Sequence, residues 1–308
     1  FFASCSPNAV LISPRELEMM ALLAMSYCRR TPSANPLEAV EYYAYSLGKA
    51  LAPRERSTEF DQRFKRGELA RVQLAVVGLC LTQSNQPAHQ ALNDLLELRR
   101  ARQVGSMPST GGLGGLIIEG EPGVGKSELV IKTLLAQGLT KGNNQQEHPD
   151  GHVFYVLPPS YSYKDKEALL LKAFHEGAVV VIDEINSSHM MERLLNALLM
   201  GKTLTGESAV KPGFMIVGTQ NPISMAGRTK ASNALQRRTQ KVIIPEYSQD
   251  EMSSILQSKG LDAARAQELI DDYLQAKKTQ NLCLRDLVKR AEVLVKATQH
   301  TGLRFFKH

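Results

Sequence analysis

The chain is 308 residues long with 43% hydrophobic and 22% charged residues, an ordinary balance for a globular protein of two or three domains. Its net charge of +6 is shared evenly between residues 1–110 and 111–308 and forms no basic stripe, which disfavours nucleic acid as a partner. No stretch approaches the ~20 apolar residues of a membrane span, and no secretory signal is read at the start; Phe1 in place of Met leads to the expectation of a fragment, from which a targeting segment could have been lost.

Residues 14–104 read as helical, with apolar residues recurring at a spacing near 3.6. Ser13 can cap a helix with Pro14 at its first position, and Leu17, Met20, Leu23 and Ala24 follow on one face. Further helices are predicted over 36–51, 58–82 and 88–103, with Tyr42, Tyr43 and Tyr45 read as packing a helix face. The stretch SMPSTGGLGG, residues 106–115, is rich in Gly, Ser and Pro and reads as a flexible connection. From 116 onward strands alternate with helices. Strands are predicted over 116–119, 153–157, 178–183, 214–219 and 242–244, and helices over 126–137, 166–175, 188–200 and 232–237. Apolar strands joined by helical crossovers predict an α/β fold with a doubly wound parallel sheet. After Pro245 the pattern is helical again, over 249–258, 262–277 and 283–298.

The four cysteines (Cys5, Cys28, Cys80 and Cys283) show no zinc-ligand spacing and read as thiols of a reducing compartment, which makes the cytoplasm the expected location. His148 and His152 are separated by Pro149, Asp150 and Gly151, so they mark a loop and not a helical ligand pair.

The chemistry is concentrated in three strand ends. IIEGEPGVGKSEL, residues 117–129, fits G-x-x-x-x-G-K-[ST] with a strand before it and a helix after it. Such a loop turns backbone N–H groups inward, and the helix N-terminus adds positive potential for phosphates. Gly120, Glu121, Pro122, Gly123, Val124, Gly125, Lys126, Ser127 and Glu128 are therefore the expected nucleotide-binding stretch. Lys126 would reach the β- and γ-phosphates of ATP, and the Ser127 hydroxyl would ligate Mg²⁺. AVVVIDEIN, residues 178–186, ends an apolar strand in two carboxylates, at the edge where open α/β sheets bind ligands. Asp183 is assigned to the Mg²⁺ shell, and Glu184 to polarising the attacking water. The strand FMIVGTQNP ends at Asn221, a neutral amide able to bond both a γ-phosphate oxygen and the water.

Over residues 116–299 the chain resembles an AAA+ ATPase of the MoxR and dynein/midasin-related branch. The resemblance is carried by GEPGVGKS (120–127), VVVIDEIN (179–186), LNAL (195–198), GTQNP (218–222), ALQRR (234–238) and LRDLVKRA (284–291). It implies a P-loop NTPase αβα sandwich, a helical lid, a homo-oligomeric ring that is usually hexameric, and ATP-driven remodelling of protein clients. The chain then divides into a helical N-terminal domain (1–105), a linker (106–115), an ATPase core (116–246) and a lid (247–308). Arg238 stands where MoxR-like sequences carry an arginine finger that acts in trans, with Arg237 as its rival and Thr239 where the family has an aromatic. Arg285 resembles the second sensor arginine, which touches the γ-phosphate from the lid. PPSYSYKDK (158–166) falls where such rings place an aromatic pore loop, although Tyr161 and Tyr163 read better as ordinary loop tyrosines. Residues 201–213 look like the hairpin that precedes the sensor strand in this branch. The resulting expectation is an Mg²⁺-dependent ATPase whose N-terminal domain docks a protein client or adaptor. The alternatives are an ATP-switched scaffold with little hydrolysis and a nucleic-acid-acting motor.

Overall fold

A computed structural model describes residues 2–5, 12, 14–65, 67, 69, 76–107, 113–143, 148, 151–187, 191–222 and 232–302. The helical N-terminal region comprises α1 (Phe2–Cys5), α2 (Pro14–Arg30), α3 (Pro36–Leu51), α4 (Ser57–Arg63) and α5 (Gln86–Gln103). The α/β region follows as β1 (Gly115–Glu119), α6 (Lys126–Ala136), β2 (Thr140–Lys141), β3 (Val153–Leu157), α7 (Tyr163–Glu176) and β4 (Val179–Ile182). It continues with α8 (Glu192–Leu199), β5 (Met215–Gln220), α9 (Asn233–Gln236) and β6 (Thr239–Ile243). The chain closes with α10 (Gln249–Ser258), α11 (Ala263–Lys277) and α12 (Leu284–Gly302). Among the described residues no helix is long and apolar enough to cross a membrane.

Local chemistry accounts for the helix starts. Asn35 caps α3 through Leu37 N–H with Pro36 behind it, and Ser162 caps α7 through Asp165 N–H. Ser248 and Glu251 form a reciprocal capping box on α10. The six strands run in the order β2-β3-β4-β5-β1-β6, and every pairing is parallel. β1 therefore lies between β5 and β6, while the chain leaves it for the far side of the sheet. The order reverses at this point, so a crevice opens at the C-terminal ends of β1 and β5.

Three expectations from the sequence are revised. The helix expected over 58–82 is only α4, and described residues 76–82 are not helical. Phe64, at the end of α4, takes an extended conformation, and Gly78 has φ 73°; neither continues a helix. The last strand begins at Thr239 because it pairs from Gly115 onward. The end of the 106–115 stretch is packed: Gly115 belongs to β1, and a Cβ there would stand 2.5 Å from Ile216 Cγ1. Close approach explains this glycine better than flexibility does. Ser13 and 108–112 lie outside the described residues.

The N-terminal helices are joined to the sheet by more than the connecting peptide. One apolar core takes Leu23 and Tyr43 from α2 and α3, Leu92 and Leu95 from α5, Leu116 and Ile118 from β1, and Leu256 and Leu287 from the C-terminal helices. Arg99 of α5, 3% exposed, donates from Nε to the carbonyl of Gly213 at 2.8 Å and from Nη2 to that of Gly177 at 2.8 Å. Nη2 also bonds the Gly151 carbonyl. Arg102 Nη1 holds the Leu113 carbonyl at 2.6 Å. We propose the four-part division as one of sequence modules, with α5 serving as a layer of the α/β region.

His89, one turn into α5 and 3% exposed, carries a measurable consequence. Burial, with the charge of Arg30 adding to it, lowers its pKa from 6.5 to about 4. The unfolded chain therefore takes up this proton first on acidification. The stabilisation is complete above pH 6.5 and is lost progressively toward pH 4. Between pH 7 and 4.5 that loss amounts to roughly 2–3 kcal/mol. Urea unfolding at the two pH values should show His89→Gln losing less stability than the wild type by that amount. Equal losses would assign the acid sensitivity to other groups.

Candidate nucleotide site

β1 delivers the chain to Gly120, and α6 carries it away from Lys126. Between them Gly123 has φ 79° and Gly125, at the helix N-cap, φ 86°, conformations that L side chains rarely adopt. A Cβ on Gly123 would come within 2.6 Å of Cys283 Sγ, so the segment entering α12 rests directly on the loop. Lys126 is 8% exposed. Its Nζ donates to the carbonyls of Gly120 (2.7 Å) and Glu121 (2.9 Å) and to Asn221 Oδ1 (3.1 Å). Burial brings its pKa down to about 8, Arg285 pushes the same way, and Glu121, Glu184 and Asp183 oppose.

The apolar run of β4 ends at Asp183. One of its oxygens, Oδ1, accepts from Ser127 Oγ at 2.7 Å and from Thr219 Oγ1 at 2.9 Å. A hydroxyl beside a carboxylate is a hard oxygen donor set that suits Mg²⁺, which uses one or two protein ligands and takes the rest from water and phosphate. Glu184 follows with φ 54°, the one positive φ at a non-glycine among the described residues. Backbone strain of this kind costs about 1 kcal/mol or more and gathers at functional sites. Asn186 Nδ2 donates to the Asn221 carbonyl at 3.0 Å, tying the ends of β4 and β5 together.

A cavity of about 350 Å³ opens over the loop, lined by Gly123–Leu129, by Tyr247, Ile255 and Lys259, and by Leu284, Arg285 and Val288. Gly78, Leu79, Cys80 and Asn85 of the N-terminal region also line it. Asn85 Nδ2 donates to Tyr247 Oη at 3.3 Å, and Tyr247 Oη donates to the Val124 carbonyl at 3.1 Å. Ser84 bonds Glu251 through its N–H (2.7 Å) and its hydroxyl (2.9 Å). No motif in the sequence marks Asn85, Tyr247 or Thr219 as residues of the site. A hydroxyl two residues before Asn221 on the same strand was the one signal available for Thr219.

The site thus brings together Lys126, Ser127, Asp183 and Asn221 by direct bonds, Glu184 and Arg285 by charge, and Glu128 on the cavity wall beside Lys132 and Lys259. Arg238 is elsewhere. It is 9% exposed, and its Nη1 donates to the Ala234 carbonyl at 2.6 Å and to Asn196 Oδ1 at 3.2 Å. Arg237 is more accessible, with its Nε 3.8 Å from Glu16 Oε1. Tyr161 and Tyr163 are exposed at the start of α7 and line no part of the cavity. Within 201–213 an isolated antiparallel bridge joins Lys202 and Ser208, as a hairpin requires.

Comparison with known proteins agrees with this arrangement. Residues 115–239 match the family model of the AAA domain of the dynein-related subfamily. Midasin of Giardia intestinalis is similar, with 29% identity over 155 residues; the match covers 46% of this chain and 3% of that protein's length. The parallel sheet, the phosphate loop and the family match agree, and together they support an AAA-type module of the dynein/midasin-related kind over residues 115–239.

Proposed function

We propose that the chain binds ATP with Mg²⁺ and hydrolyses it, and that it works as one subunit of a ring that remodels a protein client, as MoxR-like proteins do. The observation that carries this reading is the convergence of Lys126 with Asn221 and of Ser127 with Asp183 at one sheet edge. Mg²⁺, held by Ser127 and Asp183, would neutralise charge on the β- and γ-phosphates. Lys126 exchanges its bonds to the Gly120 and Glu121 carbonyls for phosphate oxygens, which favours its charged form. Thr219 holds Asp183 in place. Glu184 takes the proton of the attacking water, and Asn221 orients that water without adding charge. Arg285 neutralises the γ-phosphate from the lid side of the cavity. Arg238 is the proposed finger toward a neighbouring subunit, and Arg237 its rival.

Lys126→Ala removes the one buried cation at the loop and should abolish nucleotide binding. Mg-ATP should raise the wild-type melting temperature by an amount that grows with ligand concentration. The variant should show no shift at any concentration. An undiminished shift would show that the loop is not the phosphate cradle.

A further inference from the structure

The face of the sheet turned away from α6 carries a charged group that the nucleotide chemistry does not use. Side chains alternate along a strand. On β5, Met215 and Val217 pack into the core that holds Leu129 and Val130 of α6, whereas Ile216 packs with Phe174 of α7 and Leu195 of α8. The same alternation divides the strand end. Thr219 and, just past the strand, Asn221 turn to the α6 side, where they bond Asp183 and Lys126. Gln220 turns to the α7 and α8 side.

There Gln220 meets Glu119, its register partner on β1. Glu119 is 2% exposed. Its Oε2 accepts from Gln220 Nε2 at 2.7 Å and lies 2.8 Å from Nζ of Lys241 on β6. One carboxylate thus joins β5, β1 and β6 at the edge where the phosphate loop begins. A buried carboxylate is unfavourable unless paired, and an apolar residue of its size is often at least as stabilising. Stability alone is therefore a weak reason for a carboxylate here. Gln220 is 6% exposed, and its Oε1 is buried with no hydrogen-bond partner. The bond to Glu119 fixes both the place of this side chain and the direction of its amide. The strand end has few other supports. Pairing to β4 stops at Gly218, and beyond it the main chain is held by β1, through Gly120 N–H on the Gln220 carbonyl at 3.2 Å, and by Asn186 on the Asn221 carbonyl.

We propose that Glu119 is a positioning residue of the nucleotide site, acting from the opposite face of the sheet. It holds Gln220, and Gln220 sets the strand end from which Asn221 reaches toward Lys126 and the γ-phosphate. Lys241 supplies the counter-charge from β6. Loss of the acceptor leaves the Gln220 amide buried and wholly unbonded, so the strand end shifts until the amide finds a partner. Asn221 then loses its place. The proposal rests on the nucleotide reading above and adds to it the group that aims the Asn221 amide.

The test titrates the full chain, by calorimetry, with the Mg²⁺ complexes of a non-hydrolysable ATP analogue and of ADP. Asn221 is assigned to the γ-phosphate, which ADP lacks. Asn221→Ala should therefore weaken the ATP analogue roughly tenfold, about the effect of one hydrogen bond, and leave ADP unchanged. Glu119→Leu and Gln220→Leu should each reproduce that split. In the Asn221→Ala background neither should weaken binding further, because their effect passes through Asn221. Glu119→Gln keeps an acceptor for the Gln220 amide and should lie nearer the wild type. Gln220→Leu leaves the Glu119–Lys241 pair in place and carries the test if Glu119→Leu fails to fold. Equal weakening of both nucleotides, or an undiminished effect in the Asn221→Ala background, would mark a merely structural residue and overturn the proposal. A split in Asn221→Ala with none in Glu119→Leu or Gln220→Leu would also overturn it, while the nucleotide reading stands. If the wild type binds neither nucleotide, that reading falls and the proposal with it.

Discussion

Glu184→Gln is expected to bind Mg-ATP as the wild type does and to turn over roughly 10²–10⁴-fold more slowly, the usual contribution of a positioned general base. The reasoning is local. Glu184 is held at φ 54° at the end of β4 and sits close enough to Lys126 for its charge to act on that ammonium. Glutamine keeps the shape and the hydrogen-bonding reach but cannot accept the proton of the attacking water. Asp183→Asn makes the contrast. It weakens the acceptor of the Ser127 and Thr219 hydroxyls, so its effect should appear as a higher Mg²⁺ requirement. Steady-state phosphate release over a Mg²⁺ titration, with nucleotide binding measured separately, distinguishes the two. Near-normal turnover in Glu184→Gln would mean that another group accepts the proton.

The second large effect concerns the ring. Arg238→Ala should bind nucleotide normally and lose about 10³–10⁵ in turnover, the worth of an arginine finger where one acts. Wild-type activity should rise more steeply than protein concentration. Within one chain Arg238 is bonded to the Ala234 carbonyl and to Asn196, so it must leave those partners to reach a neighbour. A purely structural arginine would give the same loss of activity on truncation, and mixing separates the two roles. Subunits carrying Lys126→Ala supply an intact finger to an Arg238→Ala subunit with an intact phosphate loop. Partial recovery on mixing is expected. If mixing recovers nothing and activity stays proportional to concentration, the trans role of Arg238 fails; repeating the experiment with Arg237→Ala, whose side chain is 44% exposed, then tests the rival.

What the sequence made legible was chemistry that is local along the chain. Gly120 to Ser127 announces itself because the loop needs glycine, lysine and hydroxyl at fixed offsets between a strand and a helix. Asp183 and Glu184 stand out because an apolar strand ends in two carboxylates. The order of strands and helices from 116 onward followed from the same local patterns, and the parallel sheet realises it. What stayed hidden depends on long separations. Tyr247 touches Val124 across 123 positions and Asn85 across 162. No period or motif links such residues. The stretch 58–82 misled for a different reason: its apolar residues suit a helix, but Phe64 turns extended, and described residues 78–80 help to line the cavity. Gly114 and Gly115 are closely packed, and they read as part of a linker because close packing and flexibility call for the same residue.

Arg99 bears on how the protein is made. Its guanidinium bonds the carbonyls of Gly151, Gly177 and Gly213, and the last of these lies 114 positions later in the chain. A ribosome releases α5 first, so during synthesis this arginine and the apolar side of its helix, Leu92, Leu95 and Leu96, emerge before the strands that will cover them. At translation rates of about 5–20 residues per second the helix waits roughly 5–20 s for Gly213 to be synthesised. For that interval the nascent chain presents a cationic, leucine-rich helix to its surroundings. The same architecture that welds the N-terminal helices to the finished sheet leaves them without their cover during synthesis, and slowing elongation between α5 and β5 lengthens the exposure.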